Sequence, residues 1–155
     1  MSDWLTHSLV GWIAGKITGL EVSLLLLGSV LPDMNKIYLV FQWVLNIRTD
    51  TFFFPLHTPF GALLLAGGVA LFFRDALKAF LSLGVGIVFH FTLDVLLVEV
   101  GGGEPLLFPL SWQGWQLGVI PASDYTLWIT LYVLIASFIV YIVYSIFAKK
   151  KARSS

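Results

Sequence analysis

The chain has 155 residues, of which 58% are hydrophobic and 12% charged, with a formal net charge of zero. Its mean hydropathy of +0.90 lies well above that of a soluble domain, so the composition excludes an ordinary soluble protein, while the length suits one domain. There are no cysteines, which excludes both a disulfide framework and a thiolate metal site.

The first two apolar stretches are short. They cover residues 4–18 and 20–32, with Lys16 and Glu21 among them. Neither has the roughly 20 apolar residues that a hydrocarbon core of about 30 Å requires. We therefore predict a short helical hairpin that dips into the membrane and packs against the longer helices, since protein must cover its polar backbone there.

The middle of the chain alternates between breaks and apolar runs. "LPDMNK" (31–36) predicts a helix end followed by a loop, and 37–47 is apolar but would rise only about 17 Å as a helix. We interpret 37–47 as an interfacial or re-entrant segment. Residues 58–73 are uncharged but slightly short for a span, and 76–99 have the length of a full one.

The last third holds a long loop, a span and a basic tail. Residues 100–124 are rich in Gly, Pro and Trp, and a loop of that length is usually functional or disordered. Its apolar content favours a packed lid. Residues 125–148 have the length of a span. The predicted fold is thus an all-α membrane bundle of about three full spans plus the N-terminal hairpin, with four to five membrane helices. Residues 1–148 form one domain and 149–155 a basic tail.

The orientation follows from lysine and arginine, which are enriched on the cytoplasmic side. We predict a multi-pass plasma-membrane protein with a cytoplasmic C-terminus and with loop 100–124 outside. Only Lys36 and Arg48 then lie outside. The predicted cytoplasmic set is Lys16, Arg74, Lys78, Lys149, Lys150, Lys151 and Arg153.

Five polar residues fall at one predicted depth. Measured from the cytoplasmic end of each helix at 1.5 Å per residue, all five rise roughly 17–26 Å. Ionisable groups inside a bilayer are costly, so they usually face an interior and pair with one another. The five residues are His7, Asp33, His57, His90 and Asp94.

Three imidazoles and two carboxylates form a mixed nitrogen and oxygen ligand set. Such a set suits Zn²⁺ best, and less exclusively Mn²⁺ or Fe²⁺. With a coordination position open to water, the chemistry would be metal-assisted hydrolysis. For His90 and Asp94 alone, which share a helical face at i and i+4, the alternative is a hydrogen bond that satisfies two buried groups.

Five short motifs follow one another along the chain: "LTH" (5–7), "LGSVLPDMN" (27–35), "PLHTPFGALLLA" (55–66), "GIVFHFTLD" (86–94) and "PLLFPLSW" (105–112). In this order and spacing they resemble the predicted membrane-bound metal-dependent hydrolases, a family also described as LexA-binding, inner-membrane-associated hydrolases. The family is in turn similar to zinc-dependent phospholipase C. The resemblance covers essentially the whole chain.

The resemblance implies that Asp33, His57, His90 and Asp94 bind one metal and that His7 serves a second. Where the family usually has Asp-x-Asp, this chain has Asn35 as the second residue, which can still ligate through its carbonyl oxygen. The family often has His-Arg shortly before the residue matching His57, and this chain has neither there.

The phospholipase's later His and Glu ligands are also missing, unless Glu99 or Glu104 substitutes for one of them. The resemblance therefore implies one or two ions. No residue pattern indicates nucleic-acid binding, whatever the LexA-binding description, and none indicates an oligomeric state.

Three functions are compatible with these patterns. The first is a membrane metallohydrolase that acts on a phosphoester, phospholipid-like, or ester substrate at the outer leaflet, with Asp33 or Asp94 as general base. The second is a non-catalytic scaffold or regulator with a structural metal or polar site. The third, an ion or proton pathway, fits less well because such sites usually lie at the membrane midplane.

Overall fold

The computed structural model describes residues 4–47, 49–96, 98, 102–119 and 130–154. These ranges are predominantly helical and contain no β-strand, only one isolated antiparallel bridge between Glu104 and Trp115. The predicted all-α class is confirmed.

Helices alternate with short 3₁₀ turns along the described chain. In order they are α1 (Trp4–Thr18), α2 (Val22–Val30), a 3₁₀ helix (Leu31–Lys36), α3 (Ile37–Leu45), α4 (Asp50–Phe53), a second 3₁₀ helix (Phe54–His57), α5 (Pro59–Ala70), α6 (Ala76–Leu96) and α7 (Thr130–Ser154).

The predicted hairpin exists as α1 packed on α2, but the predicted loop after Pro32 is wrong. The chain stays helical from Val22 to Leu45, and it ends at Asn46, which adopts a left-handed conformation with φ of 54°. Pro32 lies in the first turn of the 3₁₀ helix, where a missing N–H is harmless. It therefore does not interrupt the helix, and 37–47 is not a separate re-entrant segment.

Among the described residues, two helices are long and apolar enough to cross a membrane, namely Val22–Leu45 and Ala76–Leu96. A third is added if the pair Thr51–His57 and Pro59–Ala70, which is bent by 82°, counts as one span. The described residues thus contain two or three candidate membrane helices, fewer than the four to five predicted. The 12 residues of α5 rise only about 18 Å.

Only part of the predicted C-terminal span, 125–148, lies within the described residues. Its apolar part, Thr130–Ile146, is shorter than a span, and residues 125–129 of the predicted span lie outside the described residues. Helix α7 continues to Ser154. The side chains of the predicted basic tail are not among those described.

Helices α2 and α6 touch through glycine. A Cβ atom on Gly86 would lie 2.5 Å from the carbonyl oxygen of Leu25 and 2.7 Å from the backbone nitrogen of Ser29, and one on Gly28 would meet the backbone of Leu83. Small residues permit such close approach of membrane helices. The contact places Leu25 and Ser29 of α2 directly against Gly86 of α6.

The core is narrow and the outer surface is apolar. Trp43, Phe72 and Leu110 each expose about nine tenths of their surface, and exposed apolar side chains on this scale suit a lipid environment better than water. Together with the spans, this surface is compatible with a membrane location. The core consists of small and branched residues, among them Ala62, Ala66, Leu83 and Ile87.

Residues 102–119 are the described part of the predicted loop 100–124, and they are here called the lid. The lid folds over one end of the bundle. Its Glu104–Trp115 bridge closes the loop on itself through two backbone hydrogen bonds of 2.9 and 2.8 Å. The N–H groups of Leu117 and Val119 donate to the carbonyls of Val95 and Leu96, at 2.7 and 3.0 Å. The lid is thus attached to the last turn of α6.

Candidate metal centre

At the lid end of the bundle, three imidazoles and three carboxylates from different segments meet. None of the six residues exposes more than 9% of its surface. They are His7 on α1, Asp33 after α2, His57 before α5, His90 and Asp94 on α6, and Glu104 in the lid.

Asp94 lies at the centre of this cluster. One of its carboxylate oxygens, Oδ2, is 3.0 Å from Nε2 of His90 and 3.4 Å from Nε2 of His57. The other, Oδ1, is 3.4 Å from Nε2 of His7. Three imidazole nitrogens from three segments thus converge on one carboxylate, and His7 and His90 stack with ring centroids 3.9 Å apart.

His57 is held by the sharp turn that begins α5. The Thr58 hydroxyl donates to the carbonyl of Pro55 at 2.7 Å and accepts the N–H of Gly61 at 3.0 Å. A Cβ on Gly61 would overlap the Pro55 carbonyl, so glycine permits this turn. As a result, Nε2 of His57 lies 3.3 Å from Oε1 of Glu104 as well as near Asp94.

His90 has the orientation expected of a metal ligand. Its Nδ1 lies 2.8 Å from the carbonyl oxygen of Ser29, and because a carbonyl only accepts, Nδ1 must donate the proton. In a neutral ring, Nε2 then carries the lone pair. That atom is buried without a hydrogen-bond partner and faces the carboxylate of Asp94. A backbone partner of this kind commonly fixes the tautomer of a ligating histidine.

The donor atoms form three overlapping groups that could hold an ion. In each group the ligand atoms lie within 4.8 Å of one another. His57, His90 and Asp94 each belong to two groups, so the groups share one cluster. The groups are His7, His90 and Asp94; Asp33, His57 and His90; and His57, Asp94 and Glu104.

The charge of the cluster matches a divalent cation. Three carboxylates contribute −3, and Lys36, whose Nζ lies 2.7 Å from Oδ1 of Asp33, contributes +1. With neutral imidazoles the sum over these described residues is −2. One divalent ion makes it zero, which matters because uncompensated charge is costly in a buried site. The buried Oδ2 of Asp33 and Oδ1 of Asn35 also have no hydrogen-bond partner among the described residues.

The structure brings together five of the six predicted site residues. The sixth, Asn35, is buried two residues after Asp33, and the predicted roles as ligands and general base stay predictions. Lys36 was not assigned to the site from sequence, and Glu104 was named only as a possible substitute for a missing ligand. Glu104 is the single acidic residue in the sequence of the lid, and this isolation in an apolar loop was the feature that could have marked it as a site residue. Glu99 lies outside the described residues.

Comparison of the chain with protein-family models, curated proteins and solved structures gave no match. The resemblance to membrane-bound metal-dependent hydrolases therefore stays a prediction. A function for the chain is therefore inferred from the geometry of this buried cluster and from its surroundings.

Replacing Lys36 with Met is expected to increase the affinity for divalent cations by about tenfold, since a unit positive charge next to the site opposes a bound cation. Methionine keeps the length and the apolar stem of lysine. The affinity is measured by zinc titration against a chelator, with Lys78→Met, on the exposed first turn of α6, as the control. Weaker binding in Lys36→Met alone would mean that Lys36 instead orients Asp33 for ligation.

Proposed function

We propose that the chain is a membrane-embedded, metal-dependent hydrolase whose substrate is a phosphoester of the phospholipid type or a lipid ester. The observation that supports it most is the buried cluster of three imidazoles and three carboxylates. With neutral imidazoles and the adjacent Lys36 its formal charge is −2, which one divalent cation would balance. Zinc is the first candidate for a cluster of nitrogen and oxygen donors.

The ligands in this proposal are His7, His57, His90 and Asp94, with Asp33 available to the same ion or to a second one. A divalent cation held here would polarise a phosphoryl or acyl oxygen and acidify a water molecule. Asp94 serves as a ligand because three imidazoles converge on it. The backbone of Ser29 keeps His90 in the ligating tautomer.

Glu104 is the carboxylate best suited to act as proton acceptor. It meets one imidazole, that of His57, whereas Asp94 meets three and Asp33 pairs with Lys36. In the proposed step Glu104 takes a proton from the attacking water, whose oxygen bonds to phosphorus or carbonyl carbon. The bond to the leaving alcohol oxygen breaks, and protonated Glu104 returns the proton to that oxygen. The lid carries Glu104, so the folded lid completes the site.

The depth of the cluster supports a lipid substrate. Helix α6 begins at Ala76, so His90 and Asp94 rise about 21 and 27 Å along it. In a hydrocarbon core of about 30 Å, that level lies just inside one boundary with the headgroups. The scissile bonds of a membrane lipid lie close to this level.

Glu104→Gln tests the catalytic proposal. In lipid nanodiscs with zinc, the wild-type chain is expected to hydrolyse a chromogenic phosphodiester or ester lipid. The variant should lose about 10²- to 10⁴-fold in kcat, the usual contribution of a general base, when both proteins are assayed with zinc at saturating concentration. The control is Glu21→Gln, whose side chain is exposed. Zinc-loaded wild-type protein without turnover of either substrate would contradict the proposal.

A structural metal site in a non-catalytic scaffold is the second candidate. Complete burial of His7 and His90 favours it, because structural ions are usually closed off by protein ligands. This candidate predicts bound zinc, no turnover, and a large loss of thermal stability on chelation.

The orientation is part of the proposal, with the lid on the extracytoplasmic side. Because the chain has no cysteine, Gln113→Cys gives a single label site on an exposed residue of the lid. We expect an impermeant maleimide to label it in intact cells. Labelling only after the membrane is opened would place the lid, and hence the cluster, on the cytoplasmic side.

A further inference from the structure

An apolar groove runs along α6 next to the buried cluster of imidazoles and carboxylates. It has a volume of about 370 Å³ and lies between α5 and α6 with the lid above it. Leu63, Gly84 and Val88 line one part, and Leu106 and Leu117 of the lid line another. The side chains of Leu63 and Val88 are exposed on the outside of the bundle, so the groove opens sideways, toward the surrounding lipid.

The lining offers an occupant almost nothing to hydrogen-bond. Thr92 is the polar side chain of the lining, and its hydroxyl donates to the carbonyl of Val88 at 2.7 Å. A ligand with polar groups along its length would lose its hydration here without compensation. The groove therefore suits a hydrocarbon chain.

The length of the groove fits one leaflet. Its lining extends along α6 from Gly84 to Leu96, which is about 18 Å of helix. Half of a hydrocarbon core of about 30 Å is about 15 Å. Since α6 begins at Ala76, the groove starts near mid-membrane and ends beside the lid, as an acyl chain of that leaflet does.

Phe91 lies between the groove and the cluster. It lines the groove, and its ring lies 5.6 Å from the ring of His57 and 5.3 Å from that of His90, centroid to centroid. An acyl chain in the groove would therefore pass beside the two imidazoles, and an ester end near Val95 would lie at the level of Asp94. Phe91 separates the hydrocarbon from the polar cluster.

We propose that this groove binds one acyl chain of a membrane lipid and thereby presents that lipid's ester or phosphoester to the cluster. The presentation of the ester to the cluster rests on the proposed hydrolase function. Binding of the acyl chain in the groove can be measured without turnover. It names a lipid with a long acyl chain as the substrate class.

Photo-crosslinking in nanodiscs tests this. Two phosphatidylcholine probes are used, one with a diazirine near the methyl end of one acyl chain and one with a diazirine near its carboxyl end. Crosslinks are mapped by mass spectrometry. We expect the terminal diazirine to label around Gly84 and the carboxyl-end diazirine to label around Val95 and Leu106. Labelling spread evenly over the outer surface, or crosslinks from this groove to a second protein chain instead, would overturn the proposal.

Gly84→Leu provides the matched variant. A Cβ at Gly84 would meet only Leu63 Cδ2, at 3.9 Å, so the new side chain enters the groove and leaves the helix backbone undisturbed. Displacing about two methylene groups of the chain predicts a loss of about tenfold in groove labelling. Gly67→Leu on α5 is the control, because its Cβ meets only Phe80, at 4.0 Å, and it lies outside the groove.

The two proposals fail separately. Groove labelling in the wild type that falls in Gly84→Leu, without lipid hydrolysis by either protein, supports the groove and contradicts the hydrolase. Hydrolysis with labelling that is unchanged in Gly84→Leu supports the hydrolase and contradicts the groove.

Discussion

Asp94→Asn is expected to reduce bound zinc from about one ion per chain to less than a tenth of that. Asn keeps the shape of Asp but removes the charge on which three imidazole nitrogens converge at 3.0–3.4 Å. Loss of a second-shell partner alone typically costs 10- to 100-fold in metal affinity, and a central anionic ligand should cost more. The measurement is elemental analysis of protein purified in detergent and then re-equilibrated with zinc.

The matched control is Asp75→Asn. Asp75 is exposed and accepts the N–H of Lys78 at 3.1 Å, a capping contact that Asn can also make. It should bind as much zinc as the wild type. Equal zinc in Asp94→Asn and the wild type would mean that Asp94 is not a ligand. No zinc in the wild type would mean that protons rather than a metal ion compensate the three carboxylates.

Gly86→Ala is expected to lower the free energy of unfolding by about 1–3 kcal/mol, the usual cost of overpacking, and so the thermal midpoint by about 2–12 °C. The added methyl group would meet backbone atoms of α2 at 2.5 and 2.7 Å, and backbone cannot move aside as a side chain can. Thermal unfolding in detergent measures the effect.

The same substitution should weaken metal binding. Separation of α2 from α6 would lengthen the 2.8 Å contact between Ser29 and His90, and such second-shell losses cost about 10- to 100-fold in affinity. Gly84→Ala, two residues earlier on α6, has a nearest neighbour at 3.9 Å and should lower neither stability nor zinc affinity. If both alanine variants behave alike, the backbone contact at Gly86 is not what aligns the two helices.

The sequence indicated where the cluster would form because charged groups are rare in an apolar chain. His90 and Asp94 were recognisable at i and i+4 on one helix, and Asp33 and His57 from their place at helix ends. These patterns depend on local periodicity, which a sequence displays directly. The all-α class followed from the same apolar runs.

Lys36 and Glu104 could not be assigned in this way. Glu104 reaches the cluster because its loop folds back and bridges to Trp115, a contact that local sequence does not specify. Lys36 was considered only as one of two basic residues on the predicted outer side, whereas its ammonium group pairs with Asp33 one turn earlier. The helix through Pro32 was missed for a similar reason: whether a proline ends a helix or begins a new turn depends on the hydrogen bonds available around it.

The hydrogen bonds from Leu117 and Val119 to the carbonyls of Val95 and Leu96 have a consequence for protein engineering. They satisfy two of the carbonyl groups at the end of α6 that have no partner within the helix. Helix α6 and the lid should therefore be exchanged together when chimeras are built from this scaffold. A chimera that carries a foreign loop would need two replacement donors at the same positions to keep the helix end intact.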